Sequence, residues 1–321
     1  MNVERVEFQI NWKCNMNCSF CFQNGSREAG EMAMADVVSA MDQLSPGLKI
    51  VWITGGEPLL SPALLFSVIR ESKRRGLYVG MSSNGLILKT YLPELKAAGL
   101  DEIRISLDSN DAAVFERIRG RRNSFPRVME GLVQAVHFGF RVGIRTTVTR
   151  ENAATVPGVI ETAKQMGVSR VELKSVLPIG RGDRSTMLRP GDLARVFRDT
   201  YRQRTRQTDV MIMCNHLPQC RDFNVENNFA CQCAREYLYI YSDGAVVPCS
   251  YFPALPGLNL RARSLEAIYH GAFFNAVRHS SPEDCRSCEG LDTCRNGCPA
   301  VLHRYGRFGN YCYDVIEELC S

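Results

Sequence analysis

The chain has 321 residues, of which 45% are apolar and 23% charged; this length predicts about two domains and a substantial buried core. The composition excludes a disordered or low-complexity polypeptide, and no apolar run approaches the ~18 residues of a membrane helix. A formal net charge of +5 permits an anionic partner but does not indicate nucleic acid. Because residues 1–13 lack the apolar core of a signal peptide, we expect a cytoplasmic protein without membrane or nucleic-acid partners.

Strand patterns alternate with helix patterns along the first half of the chain. The predicted strands are 6–13, 50–54, 77–82, 102–107, 141–148 and 170–176. The predicted helices are 33–44, 63–75, 91–98, 125–138 and 154–166. This alternation indicates a parallel sheet. Because six units are fewer than the eight of a closed TIM barrel, we expect an α/β fold with a partial (β/α)6 TIM-like barrel.

The second half of the chain has a different texture. A helix is predicted from Pro190 onward, and after residue 210 short strands, turns and cysteines follow. A Ser242-Asp243-Gly244 turn between two short strands predicts a β-hairpin. We therefore expect three regions: a barrel over 1–185, a helical linker over 186–225 and a small cysteine-rich domain over 226–321.

Cysteine is the unusual residue type, with 14 in the chain. In a reducing cytosol so many cysteines indicate metal ligation or redox chemistry rather than disulfides. Three lie between residues 14 and 21, and the other eleven lie between Cys214 and Cys320. Cysteines at both ends with none between them predict two separate sites.

The first site is the C-x3-C-x2-C array of Cys14, Cys18 and Cys21, directly after the first predicted strand. Three thiolates within eight residues can bind three irons of a [4Fe–4S] cluster and leave the fourth iron open for a cofactor. The alternatives are a zinc site, whose usual ligand pairs are absent, or buried free cysteines.

With Phe20 before its third cysteine, this array resembles the radical S-adenosylmethionine (SAM) superfamily. Further motifs follow successive strands in the family's order: Gly55-Gly56-Glu57-Pro58, Ser82-Ser83-Asn84-Gly85, Ser106-Leu107-Asp108-Ser109 and Leu177-Pro178-Ile179-Gly180-Arg181-Gly182. The resemblance covers about residues 6–183. It implies that the Gly-Gly-Glu segment contacts the methionine amino group of SAM, that Ser82 and Asn84 also line the cofactor site, that Ser106 and Asp108 lie near the ribose, and that Leu177 lies against adenine.

Each of these motifs also has a structural interpretation. Two glycines let backbone carbonyls approach a ligand closely, but Gly-Gly-Glu-Pro can equally be a plain strand-to-helix turn. Ser106 and Asp108 can instead cap a helix that begins near Asp111.

The resemblance also implies the chemistry and a protein partner. A reduced cluster gives one electron to SAM, and the resulting 5′-deoxyadenosyl radical takes a hydrogen atom from an unactivated carbon. The expected electron donor is a flavodoxin or ferredoxin.

The second site begins with Cys233, which is followed by Gly244 and Cys249 at the spacing C-x10-G-x4-C. The site is completed by a second run of cysteines, Cys285-x2-Cys288-x5-Cys294-x3-Cys298, followed by Cys312. This order resembles the SPASM extension of radical SAM enzymes, which holds auxiliary [4Fe–4S] clusters. The resemblance implies an inner cluster on Cys233, Cys249 and Cys298, with Cys231 or Cys220 as the fourth ligand, and an outer cluster on Cys285, Cys288, Cys294 and Cys312. A zinc ribbon over 285–298 is the alternative.

One departure from the SPASM cysteine pattern leaves open whether the chain holds one or two auxiliary clusters. Cys231 and Cys233 lie closer together than the first two inner ligands of the family usually do. If the inner cluster is absent, Cys249 becomes a free thiol facing the substrate. Such a thiol can return a hydrogen atom to the opposite face of a carbon radical, which predicts an epimerase with Cys249 as a catalytic residue.

The first cysteine comes too early for an amino-terminal leader-peptide domain, so we expect a small-molecule substrate. The specific prediction is epimerisation of a carbinol carbon of an aminoglycoside, or of another sugar-containing natural product, in antibiotic biosynthesis. Four carboxylates could bind its ammonium groups: Glu172, Asp183, Glu226 and Glu236. The alternatives are a dehydrogenase or decarboxylase of an aminocyclitol or sugar nucleoside, a peptide-modifying SPASM maturase, and a non-catalytic iron–sulfur or zinc protein.

Overall fold

The computed structural model of the protein describes residues 1–23, 30–213, 231–279, 298–300 and 303. Its strands are β1 Arg5–Gln9, β2 Ile50–Thr54, β3 Tyr78–Ser83, β4 Glu102–Ser106, β5 Arg141–Val148, β6 Arg170–Ser175, β7 Asp209–Ile212, β8 Tyr237–Ile240 and β9 Val246–Val247. Its helices are α1 Met34–Leu44, α2 Pro62–Arg74, α3 Leu88–Ala98, α4 Ala112–Arg119, α5 Phe125–His137, α6 Val156–Gln165, α7 Pro190–Tyr201, α8 Leu265–Tyr269 and α9 Ala272–His279.

The strands form one sheet in the order β7-β6-β5-β4-β3-β2-β1-β8-β9. All neighbours from β7 to β8 pair in parallel, and only β8 and β9 pair antiparallel. Because helices connect the successive parallel strands, the carboxyl ends of β1 to β6 meet at one edge of the sheet, where barrel sites assemble. The predicted α/β partial barrel is confirmed.

The described part of the expected linker, 186–225, contains more than a helix. It holds α7, as predicted, but also β7, which extends the parallel sheet beyond β6. At the opposite end of the barrel sheet β8 pairs with β1, so the carboxyl-terminal region contributes to the same sheet. The predicted hairpin is present as β8 and β9. The three domain boundaries stay predictions.

Helices pack on the sheet through apolar stripes and end at defined residues. In α5 the buried positions Val128, Leu132 and Ala135 recur every three to four residues, which places them on one face. Helix α4 is capped at both ends. At its start the Asp111 carboxylate accepts the Val114 N–H at 2.9 Å, and at its end Gly120 has a positive φ of 62°. Its last turn thereby reaches the loop that carries the first three cysteines.

The interior of the barrel holds charged side chains as well as apolar ones. Glu172 is buried and pairs with Arg104 at 3.1 Å and with Arg145 at 2.9 Å. The Arg104 guanidinium also lies 3.8 Å from the centre of the Trp52 ring. Buried charges need such partners because desolvation is costly, so this network holds Arg145 in place below the site. No helix in the described ranges combines the length and apolarity needed to cross a bilayer.

Candidate active site

Two cavities adjoin near the carboxyl ends of β2 and β6, and the larger one also reaches Arg5 and Ile50 at the amino ends of β1 and β2. The smaller has a volume of about 190 Å³ and the larger about 370 Å³. Seven residues line both: Phe22, Thr54, Arg145, Lys174, Ser175, Leu177 and Tyr251. The rings of Phe22 and Tyr251 meet edge to face, 5.2 Å apart. The two cavities are therefore neighbouring compartments with a shared wall.

The smaller cavity brings together most of the residues predicted to bind the cluster and SAM. Its lining includes Cys14, Cys18, Phe20, Cys21, Gly55, Gly56, Ser82, Asn84, Ser106 and Leu177. These residues come from the loop after β1 and from the ends of β2, β3, β4 and β6. Residues far apart in sequence thus converge because parallel strands end at the same edge.

Three glycines fix the loop that carries the cysteines. A Cβ atom at Gly56, Gly120 or Gly180 would collide with the backbone of Lys13, Asn17 or Cys21, respectively, at well under 3.0 Å. The close approach predicted at Gly56 is therefore made to the protein's own cysteine loop. Gly180 and Gly120 also have positive φ angles, which glycine adopts without strain.

Hydrogen bonds and one cation complete the surroundings of the three thiols. The Asn84 amide donates to the Asn15 side chain at 2.7 Å and lies 3.9 Å from the Cys14 sulfur. The Arg119 guanidinium donates to the Cys18 sulfur at 3.5 Å. Burial raises the pKa of the Cys18 thiol, and Arg119 opposes that effect. A cation beside this sulfur favours the thiolate, the form that binds iron.

Glu57 and Asp108, which the resemblance places in the SAM site, have fully buried side chains and line neither cavity. Glu57 accepts hydrogen bonds from the Asn84 N–H at 2.7 Å and the Ser83 hydroxyl at 2.9 Å, and burial raises its pKa to about 7. Asp108 pairs with Arg119 at 2.6 Å and accepts the Thr147 N–H at 2.8 Å. Glu57 thus ties β2 to β3, and Asp108 positions Arg119 against Cys18. Their contacts with SAM stay predictions.

The larger cavity gathers four cysteines from three segments of the chain. Cys231 and Cys233 precede β8, Cys249 follows β9, and Cys298 comes from the carboxyl-terminal region; all four line this cavity. Hydrogen bonds join Cys233 to Cys231 and Cys249 and raise its pKa. The unusual Cys231-Gln-Cys233 spacing therefore does not separate these thiols. The other predicted ligands lie outside the described residues: Cys220, Cys285, Cys288, Cys294 and Cys312.

The number of thiols at each cavity can be compared with the needs of an iron–sulfur cluster. In the described ranges no three His, Cys, Asp or Glu side chains are gathered to hold one metal ion. A [4Fe–4S] cluster takes one thiolate at each iron of a cube. Three thiols facing one cavity and four facing the next fit such clusters in number and chemistry.

The charge of the shared wall was not predicted. Arg145 and Lys174 line both cavities, from inward positions of β5 and β6. Among the carboxylates expected to bind ammonium groups, Glu172 is engaged with arginines, and Asp183 accepts the N–H groups of its own loop. Glu236 lines the larger cavity, and Glu226 lies outside the described residues. The sequence did contain a signal for Arg145 and Lys174, because each is a charged residue at a position of its strand that points into the barrel.

Comparison with known proteins places this geometry in a family. Residues 12–171 match the radical SAM superfamily, and residues 231–289 match SPASM, an iron–sulfur cluster-binding domain. The chain is 27% identical to the AdoMet-dependent heme synthase of Methanosarcina barkeri, over 95% of this chain and 93% of that protein. It is 25% identical to the PqqA peptide cyclase of Gluconobacter oxydans, over 90% of this chain and 84% of that protein.

Among solved structures, anSMEcpe with bound AdoMet superposes with a TM-score of 0.78 at 18% identity, over 98% of this chain and 95% of that one. This likeness shows the fold. The two matched domains imply a [4Fe–4S] cluster with SAM in the first and auxiliary iron–sulfur clusters in the second. With three thiols facing the smaller cavity and four facing the larger, the chain belongs to the radical SAM superfamily and carries a SPASM domain.

Proposed function

We propose that this protein is a peptide-modifying radical SAM enzyme that removes two hydrogens from a substrate bound in the larger cavity. SAM with the cluster on Cys14, Cys18 and Cys21 supplies, when bound, a carbon radical able to take a hydrogen atom. The observation that carries the proposal is the shared wall: the larger cavity adjoins the smaller one on one side and the four-cysteine set on the other.

The position of Cys249 supports oxidation over epimerisation. Its thiol is hydrogen-bonded to Cys233 and belongs to the set that includes Cys231 and Cys298. We assign all four as ligands of the inner auxiliary cluster, which leaves Cys249 without a hydrogen atom to donate. The substrate would then lose one hydrogen atom to the carbon radical supplied by SAM, one electron to the inner auxiliary cluster and one proton to solvent, so the product would be lighter by two hydrogens.

The wall charges support a substrate that carries an anionic group. Arg145 and Lys174 face both cavities, and Glu172 holds Arg145 by an ion pair at 2.9 Å. A polycationic aminoglycoside would meet these two cations at the junction, while Glu4, Glu7 and Glu236 line other parts of the larger cavity. Neither of the two relatives named above is an aminoglycoside enzyme. The similarity to PqqA peptide cyclase along most of both chains supports a peptide.

The chain's own residues position the substrate and exclude water. The edge-to-face contact of Phe22 and Tyr251 covers the junction of the cavities with apolar surface. Arg145, preorganised by Glu172, offers fixed donors to a carboxylate.

A second candidate is a heme-synthase-like reaction on a tetrapyrrole carboxylate. It is favoured by the similarity to the AdoMet-dependent heme synthase over nearly the full length of both chains. The same cationic wall would receive a carboxylate of either substrate.

The test is turnover by anaerobically reconstituted protein with SAM and dithionite. One arm offers the peptides encoded by any short reading frames beside the gene, and the other offers a carboxylated iron porphyrin. We expect 5′-deoxyadenosine together with a peptide lighter by two hydrogens. Heme formation instead would select the second candidate, and an inverted residue with unchanged mass would overturn the oxidative assignment.

A further inference from the structure

Lys174 is a half-buried cation on a cavity wall that the fold does not neutralise. It lies on β6 and lines both cavities. Within the described part of the chain its ammonium makes no hydrogen bond and no ion pair. Even partial removal of a charge from water is costly when the charge has no partner. An unpartnered, half-buried ammonium that lines two cavities therefore points to a ligand.

The surrounding charges do not supply the missing partner. Four elements face Lys174 with charged groups, which are Arg145 on β5, Glu172 on β6 itself, Glu7 on β1 and Arg104 on β4. Glu172 is shared by both arginines, at 3.1 and 2.9 Å. Glu7 accepts the Tyr237 hydroxyl at 3.0 Å and pairs with Arg5 at 3.5 Å.

Ion pairs distinguish the arginines from Lys174. Arg5 pairs with Glu7, Arg104 with Glu102 and Glu172, and Arg145 with Glu172. Of the other carboxylates that line the larger cavity, Glu4 pairs with Lys49, and within the described residues no ion pair joins Glu236 to Lys174. Burial, followed by the nearby Arg145, lowers the pKa of Lys174 to about 7. An anion bound beside it would restore the proton.

We propose that Lys174 binds a carboxylate of the substrate at the junction of the two cavities and so selects substrates with an acidic group near the reacting carbon. This inference rests on the proposed function in that it takes the larger cavity as the substrate site. It applies to the acidic side chain of a peptide and to a tetrapyrrole carboxylate alike. Lys174 acts as a specificity-determining residue that positions the substrate.

The test measures the protonation of Lys174 directly, in reconstituted holoenzyme without reductant. Trace acetylation by acetic anhydride is followed between pH 6 and 11, and the acetylated lysines are quantified by mass spectrometry. The probes are glutarate and its uncharged analogue glutaramide. Lys89, which is exposed and pairs with Glu130, is the internal control.

We expect the acetylation midpoint of Lys174 to lie near pH 7 and to rise by about one pH unit or more with glutarate. Glutaramide should leave it unchanged, and neither probe should move Lys89. The assay is repeated with saturating SAM, because SAM also carries a carboxylate. A rise caused by SAM alone that abolishes the glutarate effect would overturn the proposal, since Lys174 would then bind the cofactor.

A midpoint unmoved by glutarate would also overturn it. Because no turnover is needed, this failure is distinguishable from failure of the proposed function, which would appear as absent 5′-deoxyadenosine in the reduced enzyme. The second readout is the KM of two variants. Lys174→Gln should raise the KM for an acidic peptide more than 10-fold and should change the KM for the amide analogue of that peptide little. Lys174→Arg, which keeps the positive charge, should bring the KM for the acidic peptide part of the way back to the wild-type value. Equal effects on both peptides would contradict a specificity role.

Discussion

The ion pair between Asp108 and Arg119 connects the stability of the barrel to the cysteine loop. Their charged groups lie 2.6 Å apart, Asp108 is fully buried, and Arg119 also contacts the Cys18 sulfur. Asp108→Asn keeps an oxygen for the Thr147 N–H but removes the charge that neutralises Arg119. Breaking a buried pair from one side costs about 3–5 kcal/mol, so we expect that loss in the free energy of unfolding.

The assay is urea unfolding of the apoprotein, which keeps cluster binding out of the comparison. Arg119→Met should cost a similar amount, and the double variant should cost less than the sum because the second change removes an already unpaired charge. The control is Arg117→Met, which breaks the exposed pair of Arg117 with Glu151 and should cost less than about 1 kcal/mol. If Asp108→Asn destabilised the protein no more than Arg117→Met, the structural role given to Asp108 would be wrong.

Three further predictions concern the loop, the auxiliary site and the wall. Gly56→Ala should lower the iron content by about four atoms per chain, because the added Cβ would collide with the Lys13 carbonyl. The control is Gly30→Ala, whose Cβ has open space around it and should leave the iron content unchanged. Equal iron content in the two variants would contradict the packing argument. Cys249→Ala should also lower the iron content by about four atoms per chain. If the iron content were unchanged and the variant lost the ability to invert a substrate carbon, Cys249 would be the hydrogen donor of an epimerase instead of a cluster ligand. The third prediction concerns Lys174, whose pKa is about 7 in the folded protein and ordinarily 10.5. Between pH 7 and 10.5 the lysine is therefore protonated in the unfolded chain and largely neutral in the folded one, so the free energy of unfolding of the wild type, relative to Lys174→Met, should rise with pH by up to about 1.4 kcal/mol per pH unit. If the free energies of unfolding of the two proteins changed with pH in parallel, this prediction would be wrong.

The sequence predicts the barrel well because its signals are local. The bounds of β2 and β5 agree with the predicted strands 50–54 and 141–148, since turn residues flank both. Strand β1 ends at Gln9 rather than at residue 13, because Asn11 and Lys13 accept hydrogen bonds from Gly56 and Glu57 instead of continuing the strand. Strand β7 was missed because four residues give too short a pattern to detect.

The site was only partly predictable, for a physical reason. Cysteine spacing defines a cluster loop locally, whereas a carboxylate in a motif can face either a cavity or the core. Glu57 and Asp108 face the core. Arg145 meets Glu172 only through the register of β5 and β6, which makes them direct neighbours. The charged wall therefore follows from strand pairing, which the sequence pattern does not specify.

The most direct measurement is SAM cleavage by anaerobically reconstituted and reduced protein, compared with a variant in which Cys14, Cys18 and Cys21 are all alanine. We expect 5′-deoxyadenosine from the wild type and none from the variant, which should keep the iron of its auxiliary sites. Equal formation by both proteins, or none from iron-loaded wild type, would contradict the assignment of the smaller cavity as the site where SAM is cleaved.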